Sequence, residues 1–269
     1  MSAATAPVHR WDAEDYAANS SAQYQWAQEL IASLDLRGGE SVLDIGCGDG
    51  RVSAAIAARV PRGRVLGIDS SPQMIERACS AFPPGAFPLL EFRLMDGQAI
   101  ALEERFDIAF SSATLHWVPD HPAVLAGVSR CLVQGGRLLF QMGGRGNAAE
   151  VVGVLESMIA GEPWSRFFAG FSFPYSFCGP GQYASWLPAA GLTPRRLALV
   201  AKDMRQDGTE GLAGWIRTTW LPYTERVPKA MRHAFVAEIA ERYVTAHPPD
   251  AQGAVVVKMV RLEVEAEKA

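Results

Sequence analysis

The chain lacks any stretch approaching the roughly 18 consecutive apolar residues that a membrane span needs, so no membrane partner is expected. It also lacks an extended basic run: 25 Lys and Arg stand against 29 Asp and Glu, a formal charge of −4. Neutralising a phosphate backbone takes clustered Lys and Arg, so no nucleic-acid partner is expected. Cysteine is sparse. Cys47, Cys79, Cys131 and Cys178 include no CxxC pair, and no metal is expected. The opening residues M-S-A-A-T-A-P-V-H-R-W-D lack the apolar centre of a secretory leader. Free thiols and a cytoplasmic location are the expectation. Internal repeats and low-complexity linkers are absent as well. What is present is 269 residues, 49% hydrophobic and 20% charged, enough for one large α/β domain or a domain with a small cap.

The most informative stretch is Ser41 to Gly50, S-V-L-D-I-G-C-G-D-G. Val42, Leu43 and Ile45 suit a buried strand, and the run breaks into Gly46, Gly48 and Gly50. Arg51–Val60 follows, Ala-rich and apolar at helical spacing. Strand, glycine turn and helix in succession is the context of a nucleotide-binding loop. Glycine admits positive φ and lets a ligand approach the main chain. The spacing here is G-x-G-x-G, and the neighbouring charges are what discriminate. A dinucleotide would bring its pyrophosphate to this turn, where Asp44 and Asp49 would oppose it. Both acids favour a ligand with a positive group and no phosphate. S-adenosyl-L-methionine (SAM), with its ammonium and sulfonium, fits that description. The alternatives are that Asp49 caps the helix and Asp44 orders the loop.

Further strands are predicted at Arg64–Asp69, Leu89–Leu94, Phe106–Ser111 and Arg137–Met142, with helices at Pro72–Ser80 and Pro122–Leu132 between them. This alternation predicts a doubly wound, mostly parallel sheet. Asp69 ends the second strand about 20 residues past the glycines, where an acid accepts both ribose hydroxyls. Asp96 follows the third strand, beside Gly97, where a carboxylate can accept from an adenine amino group. Three acids at the C-terminal ends of successive parallel strands mark the ligand edge of such a sheet.

The set V-L-D-I-G-C-G-D-G, G-I-D-S-S-P-Q-M-I, M-D-G-Q, F-D-I-A-F-S-S-A-T-L-H-W-V and Q-G-G-R-L-L-F resembles the class I SAM-dependent methyltransferases over about residues 11–142. That resemblance implies a seven-stranded Rossmann-like sheet with a helical cap. Within the class, S-S-A-T-L-H-W-V-P-D-H is similar to the trans-aconitate methyltransferases. The spacing of Tyr16 and Gln23, with His116-Trp117, is similar to juvenile-hormone-acid and malonyl-carrier-protein methyltransferases. All three methylate a carboxylate. On the charge argument above, Asp44 attracts the SAM ammonium, directly or through water; carried onto this chain, the resemblance implies that Gly46, Gly48 and the Cys47 backbone line the methionine moiety. It places Asp69 at the ribose, Ser70 and Met74 beside ribose and adenine, and Asp96, Gly97 and Gln98 around the adenine. Ser111 would approach the methionine end through its backbone, and Gln23 would reach in from the N-terminal helix.

The implied organisation is an N-terminal helical segment over the cofactor site (1–40), a SAM-binding core (41–144) and a remainder (145–269) carrying helical and aromatic cap insertions. His116 is the histidine placed to act as a general base, or else a pocket histidine that shapes or hydrogen-bonds the substrate; a carboxylate acceptor needs no base at neutral pH. Trp117, Tyr175 and Trp215 are pocket candidates, together with Tyr16 from the first segment. Arg145 and Arg217 are the cations that can clamp a carboxylate bidentately, or form structural ion pairs. Phe167, Phe168 and Phe171 are expected in the cap's own core. The expected function is methyl transfer from SAM to a small-molecule acceptor, most simply a carboxylate. The alternatives are a natural-product hydroxyl or amine methyltransferase using His116 as base, a non-catalytic SAM-binding module, and a nicotinamide oxidoreductase on the same sheet.

Overall fold

The computed structural model describes residues 21–269. Its centre is a seven-stranded sheet: β1 (Ser41–Ile45), β2 (Arg64–Asp69), β3 (Leu90–Leu94), β4 (Phe106–Ser112), β5 (Leu132–Gly143), β6 (Leu192–Gln206) and β7 (Val255–Lys268). The spatial order is β3-β2-β1-β4-β5-β7-β6. β1 to β5 pair parallel. β7 inserts between β5 and β6 and runs antiparallel to both. This is the doubly wound, mostly parallel sheet that the alternation predicts.

Alternation along the strands builds a core on each face. Val42, Val65, Ile108 and Leu139 point to one side, where Leu30 and Ile31 of α1 (Ser21–Ala32) and Ile56 of α2 (Arg51–Ala57) meet them. Their sequence neighbours Leu43, Leu66, Ala109 and Leu138 point to the other. There they meet Val124, Leu125 and Val128 of α4 (His121–Cys131) and Leu187 of α6 (Pro180–Ala189). Between α2 and α4 in the chain order, α3 (Pro72–Ala81) opens with Ser71 as its N-cap, accepting from the Met74 N–H, and with proline in its first turn.

A third core lies over the far halves of β6 and β7. It joins α5 (Ala149–Ile159), α7 (Gly208–Thr219), α8 (Leu221–Thr224) and α9 (Arg232–Ala246) to Met204, Val255, Val257 and Met259. Trp164 and Phe168 are buried in it, and Phe167 and Phe171 pack against it. The cap covers the projecting ends of both strands, where Met204 pairs with Val257 and Gln206 with Val255. The opposite ends, Leu192 of β6 and Lys268 of β7, pair with each other beside β5. Trp26 of α1 belongs to this third core while Leu30 and Ile31 belong to the sheet, so one short helix ties cap to sheet. All four cysteines are free thiols. Among the described residues no helix is long and apolar enough to cross a membrane.

Candidate functional site

The C-terminal ends of β1, β2 and β4 open into a cavity of about 700 Å³ roofed by α1 and the cap. Two glycines of the turn, Gly46 and Gly48, shape its floor. The Gly46 and Cys47 N–H groups both donate to the Ile68 carbonyl, at 2.7 and 3.0 Å, folding the turn back onto β2. Gly46 takes φ +74°, and a Cβ there would lie 2.0 Å from Thr114, whose hydroxyl donates to the Gly46 carbonyl. Gly48, at φ +54°, has no atom of the described residues within 4 Å of where a Cβ would stand, and it lines the cavity. Gly46 is therefore required by the protein itself, and Gly48 leaves space and bare backbone for a ligand.

The acids gather round this turn. Asp44 is buried and accepts a 2.5 Å hydrogen bond from the Ser53 hydroxyl. Burial pushes its carboxyl up to about 7; the Ser53 bond opposes that rise and the Asp69 charge adds to it. Asp69 accepts from Gly48 N at 3.0 Å and Ser71 N at 2.8 Å, and burial raises it too. Burial also raises the Cys47 thiol, with Asp69 and Asp44 adding to the effect, so it stays protonated. Asp49 pairs with Arg51 at 2.7 Å, and the cap position of α2 falls to Gly50 instead. Asp96 caps the short turn Gly97–Ala99 by accepting from Gln98 N at 2.9 Å. The Gln98 carboxamide in turn accepts from Asp120 N, joining the loops after β3 and β4.

The opposite end of the cavity is aromatic. His116 is buried, and its Nδ1 accepts from Gly143 N at 3.4 Å, which leaves the ring proton on Nε2. Burial holds its pKa well below the usual histidine range, with Arg261 and His121 pushing the same way, so the ring is neutral. Tyr175 lies edge-on to Trp117 at 4.9 Å and stacks on Phe177 at 5.5 Å. Its hydroxyl donates to the Thr219 carbonyl at 3.0 Å, which fixes the end of α7. Arg261 enters from β7. It pairs in register with Gly143, is 3% exposed, and lies 5.2 Å from the centre of the Trp26 ring.

The cavity brings together most of the residues expected from the sequence. Gln23, Asp44, Gly46, Cys47, Gly48, Asp69, Ser70, Met74, Asp96, Gly97 and Gln98 line it, as do His116, Trp117, Tyr175 and Trp215. Three expectations are corrected. Ser111 is fully buried, with its hydroxyl donating to the Ile45 carbonyl; the strand carries one residue further, and Ser112 and Ala113 line the cavity instead. Arg145 is exposed and packs on the start of α6, against Gly179 and Gln182, because the chain turns away after β5. Arg217 points outward because Leu212, Trp215 and Ile216 occupy the buried face of α7. Tyr16 lies outside the described residues.

The residue that sequence reasoning missed is Arg261. In Val255–Lys268 it falls in phase with the buried Val255, Val257 and Met259, so a charge sits on the inward face. That break in alternation is a usable signal. Ala113 was also missed. It lines the cavity at φ +55°, a conformation that a non-glycine residue rarely holds.

Comparison with known proteins follows the same lines. Residues 43–140 match the family described as methyltransferase domain. A trans-aconitate 2-methyltransferase of Methylobacterium nodulans is 30% identical over 255 residues, covering 94% of this chain and 96% of that protein. Among solved structures, the YcgJ protein of Bacillus subtilis superposes with a TM-score of 0.63 at 17% identity, covering 91% of this chain and 98% of that one. A geranyl diphosphate methyltransferase in complex with SAM gives 0.55 at 18% identity, covering 92% and 85%.

Proposed function

This chain belongs to the class I SAM-dependent methyltransferases, and on that premise we propose that it methylates a carboxylate of a small acid, trans-aconitate or a relative of it. SAM is the cofactor. Bound, it supplies an electrophilic methyl group on a sulfonium.

The residues present fit it. The cavity floor holds acids and bare glycine backbone rather than a phosphate cradle, which suits a ligand with a cationic amino-acid end. In this reading Asp44 faces the ammonium and Asp69 the ribose hydroxyls. Gly48 leaves room for the methionine portion, and Asp96 and Gln98 frame the adenine. Gln23 closes the site from α1.

The observation that carries the carboxylate reading is Arg261, a buried cation on the aromatic side of the same cavity. A guanidinium can hold a carboxylate through two parallel N–H···O bonds. It takes the clamp role that Arg145 and Arg217 cannot take from their exposed positions. The aromatic walls hold the body of the acid and exclude water. His116 supports this reading over an alcohol or amine acceptor. Its Nδ1 lone pair is spent on Gly143 N–H, so the ring offers a proton at Nε2 rather than a base. A carboxylate needs no proton removed before it attacks. Orientation of the nucleophile is then the main contribution of this end of the cavity.

The test is transfer of labelled methyl from SAM to a panel of small carboxylic acids. The expected product is a methyl ester, released by mild alkali. Label that survives alkali, as in an ether or N-methyl product, would overturn the carboxylate reading.

A further inference from the structure

Outside the cofactor end, the cavity contains polar atoms with no hydrogen-bond partner among the described residues. Three of them cluster at the end of α7 and just beyond it: Trp215 Nε1, Thr219 Oγ1 and Trp220 Nε1. All three residues line the cavity, and Trp215 and Trp220 are 1% and 2% exposed. A buried polar atom left unpaired is unfavourable, and native proteins keep few of them. Two are indole N–H groups, which can only donate, and the third is a hydroxyl, which can donate.

The cluster is rigid. Trp215 and Trp220 meet edge to face at 5.8 Å, Tyr175 packs edge-on to Trp220 at 5.2 Å, and the Tyr175 hydroxyl holds the Thr219 carbonyl. Such donors are pre-organised for a ligand oxygen and lose little entropy on meeting one.

We propose that Trp215, Thr219 and Trp220 form a subsite for an oxygen-bearing group of the acceptor other than the one that is methylated. The proposal rests on the acceptor being a small acid, and it adds a second recognition point to the Arg261 contact. An acceptor held at two points presents one oxygen to the methyl group and keeps the other away from it. The same donors reject acids that lack the second group, because the N–H and O–H groups would then stay unpaired.

The test compares wild type with Thr219→Val, which keeps shape, and Trp220→Phe, which keeps an aromatic ring; each removes one donor. Binding to the complex with S-adenosylhomocysteine is measured by calorimetry for trans-aconitic acid and for a monocarboxylic acid of similar carbon skeleton. Each variant is expected to bind the tricarboxylic acid about 10-fold more weakly, in keeping with a lost hydrogen bond to a charged acceptor. The monocarboxylic acid and S-adenosylhomocysteine itself are expected to bind within 2-fold of wild type. Equal affinity of wild type and both variants for the tricarboxylic acid, or no binding of it to wild type, overturns the subsite. Donor-sensitive binding without any methyl ester product would instead overturn the carboxylate reading and leave the subsite standing. Unchanged S-adenosylhomocysteine affinity shows that the variants are folded.

Discussion

At the scale of single residues, Asp44 has the most to tell. Its folded value near 7 lies above the ordinary carboxylate value, so the folded, ligand-free protein holds a proton that the unfolded chain has released. Stability of that form therefore falls as pH rises from about 4 to 7. The proposed contact with the SAM ammonium favours the ionised carboxylate, so binding below pH 7 must expel the proton. Affinity for S-adenosylhomocysteine, which carries the same ammonium, is expected to rise up to about 10-fold per unit as pH approaches 7, then level off. Asp44→Asn is expected to flatten this dependence, bind more weakly at pH 8, and melt higher than wild type without ligand at that pH. Calorimetric titrations from pH 5.5 to 8.5 check it; a flat wild-type curve would remove Asp44 from the ammonium contact. Asp44, Asp69 and Asp96 were legible in the sequence because strand ends and turn positions place them. Arg145 and Arg217 were misplaced because their environments depend on where the chain turns after β5 and on which face of α7 is buried. Local sequence leaves both of those open.

At the scale of elements, the strand–turn–helix unit at Ser41–Ala57 sets the cofactor end, and its glycines separate into two kinds. Gly46→Ala places a methyl group against Thr114 and is strained at φ +74°. Gly48→Ala is strained at φ +54° but meets no atom of the described residues. Left-handed strain costs about 1–2 kcal/mol at either position. The Gly46 clash adds overpacking of about 1–3 kcal/mol. Gly46→Ala is thus expected to lower the melting temperature more, whereas Gly48→Ala is expected to lose S-adenosylhomocysteine affinity out of proportion to its stability. Thermal melts with and without ligand distinguish the two. Equal stability losses would mean that Thr114 moves aside freely. β1 and β2 could be read from sequence because each is a short apolar run that ends at a glycine or an acid. The cap helices were visible only as helical and aromatic insertions within 145–269. The exposed and cap-facing residues of β6 and β7 depend on contacts distant in sequence.

At the scale of the whole molecule, three cores divide the work. The two faces of the sheet hold the glycine turn and its acids at one edge. The third core, built on the projecting ends of β6 and β7, carries the aromatic wall and brings Arg261 into the same cavity. β7 joins them: its C-terminal half pairs with β5 in the sheet, and its N-terminal half supports the cap. An acceptor and a cofactor bound in one cavity therefore draw on different cores. Changes at the acceptor end are expected to leave cofactor affinity nearly untouched. The most direct measurement is methyl-ester formation by Arg261→Gln and Arg261→Lys alongside S-adenosylhomocysteine affinity. Removing a charged partner of a buried carboxylate costs about 3 kcal/mol, which is roughly 100-fold in kcat/KM. The expected result is that loss for Arg261→Gln, partial recovery for Arg261→Lys, and S-adenosylhomocysteine affinity within 2-fold of wild type for both. Wild-type kcat/KM in Arg261→Gln would contradict a carboxylate held by Arg261.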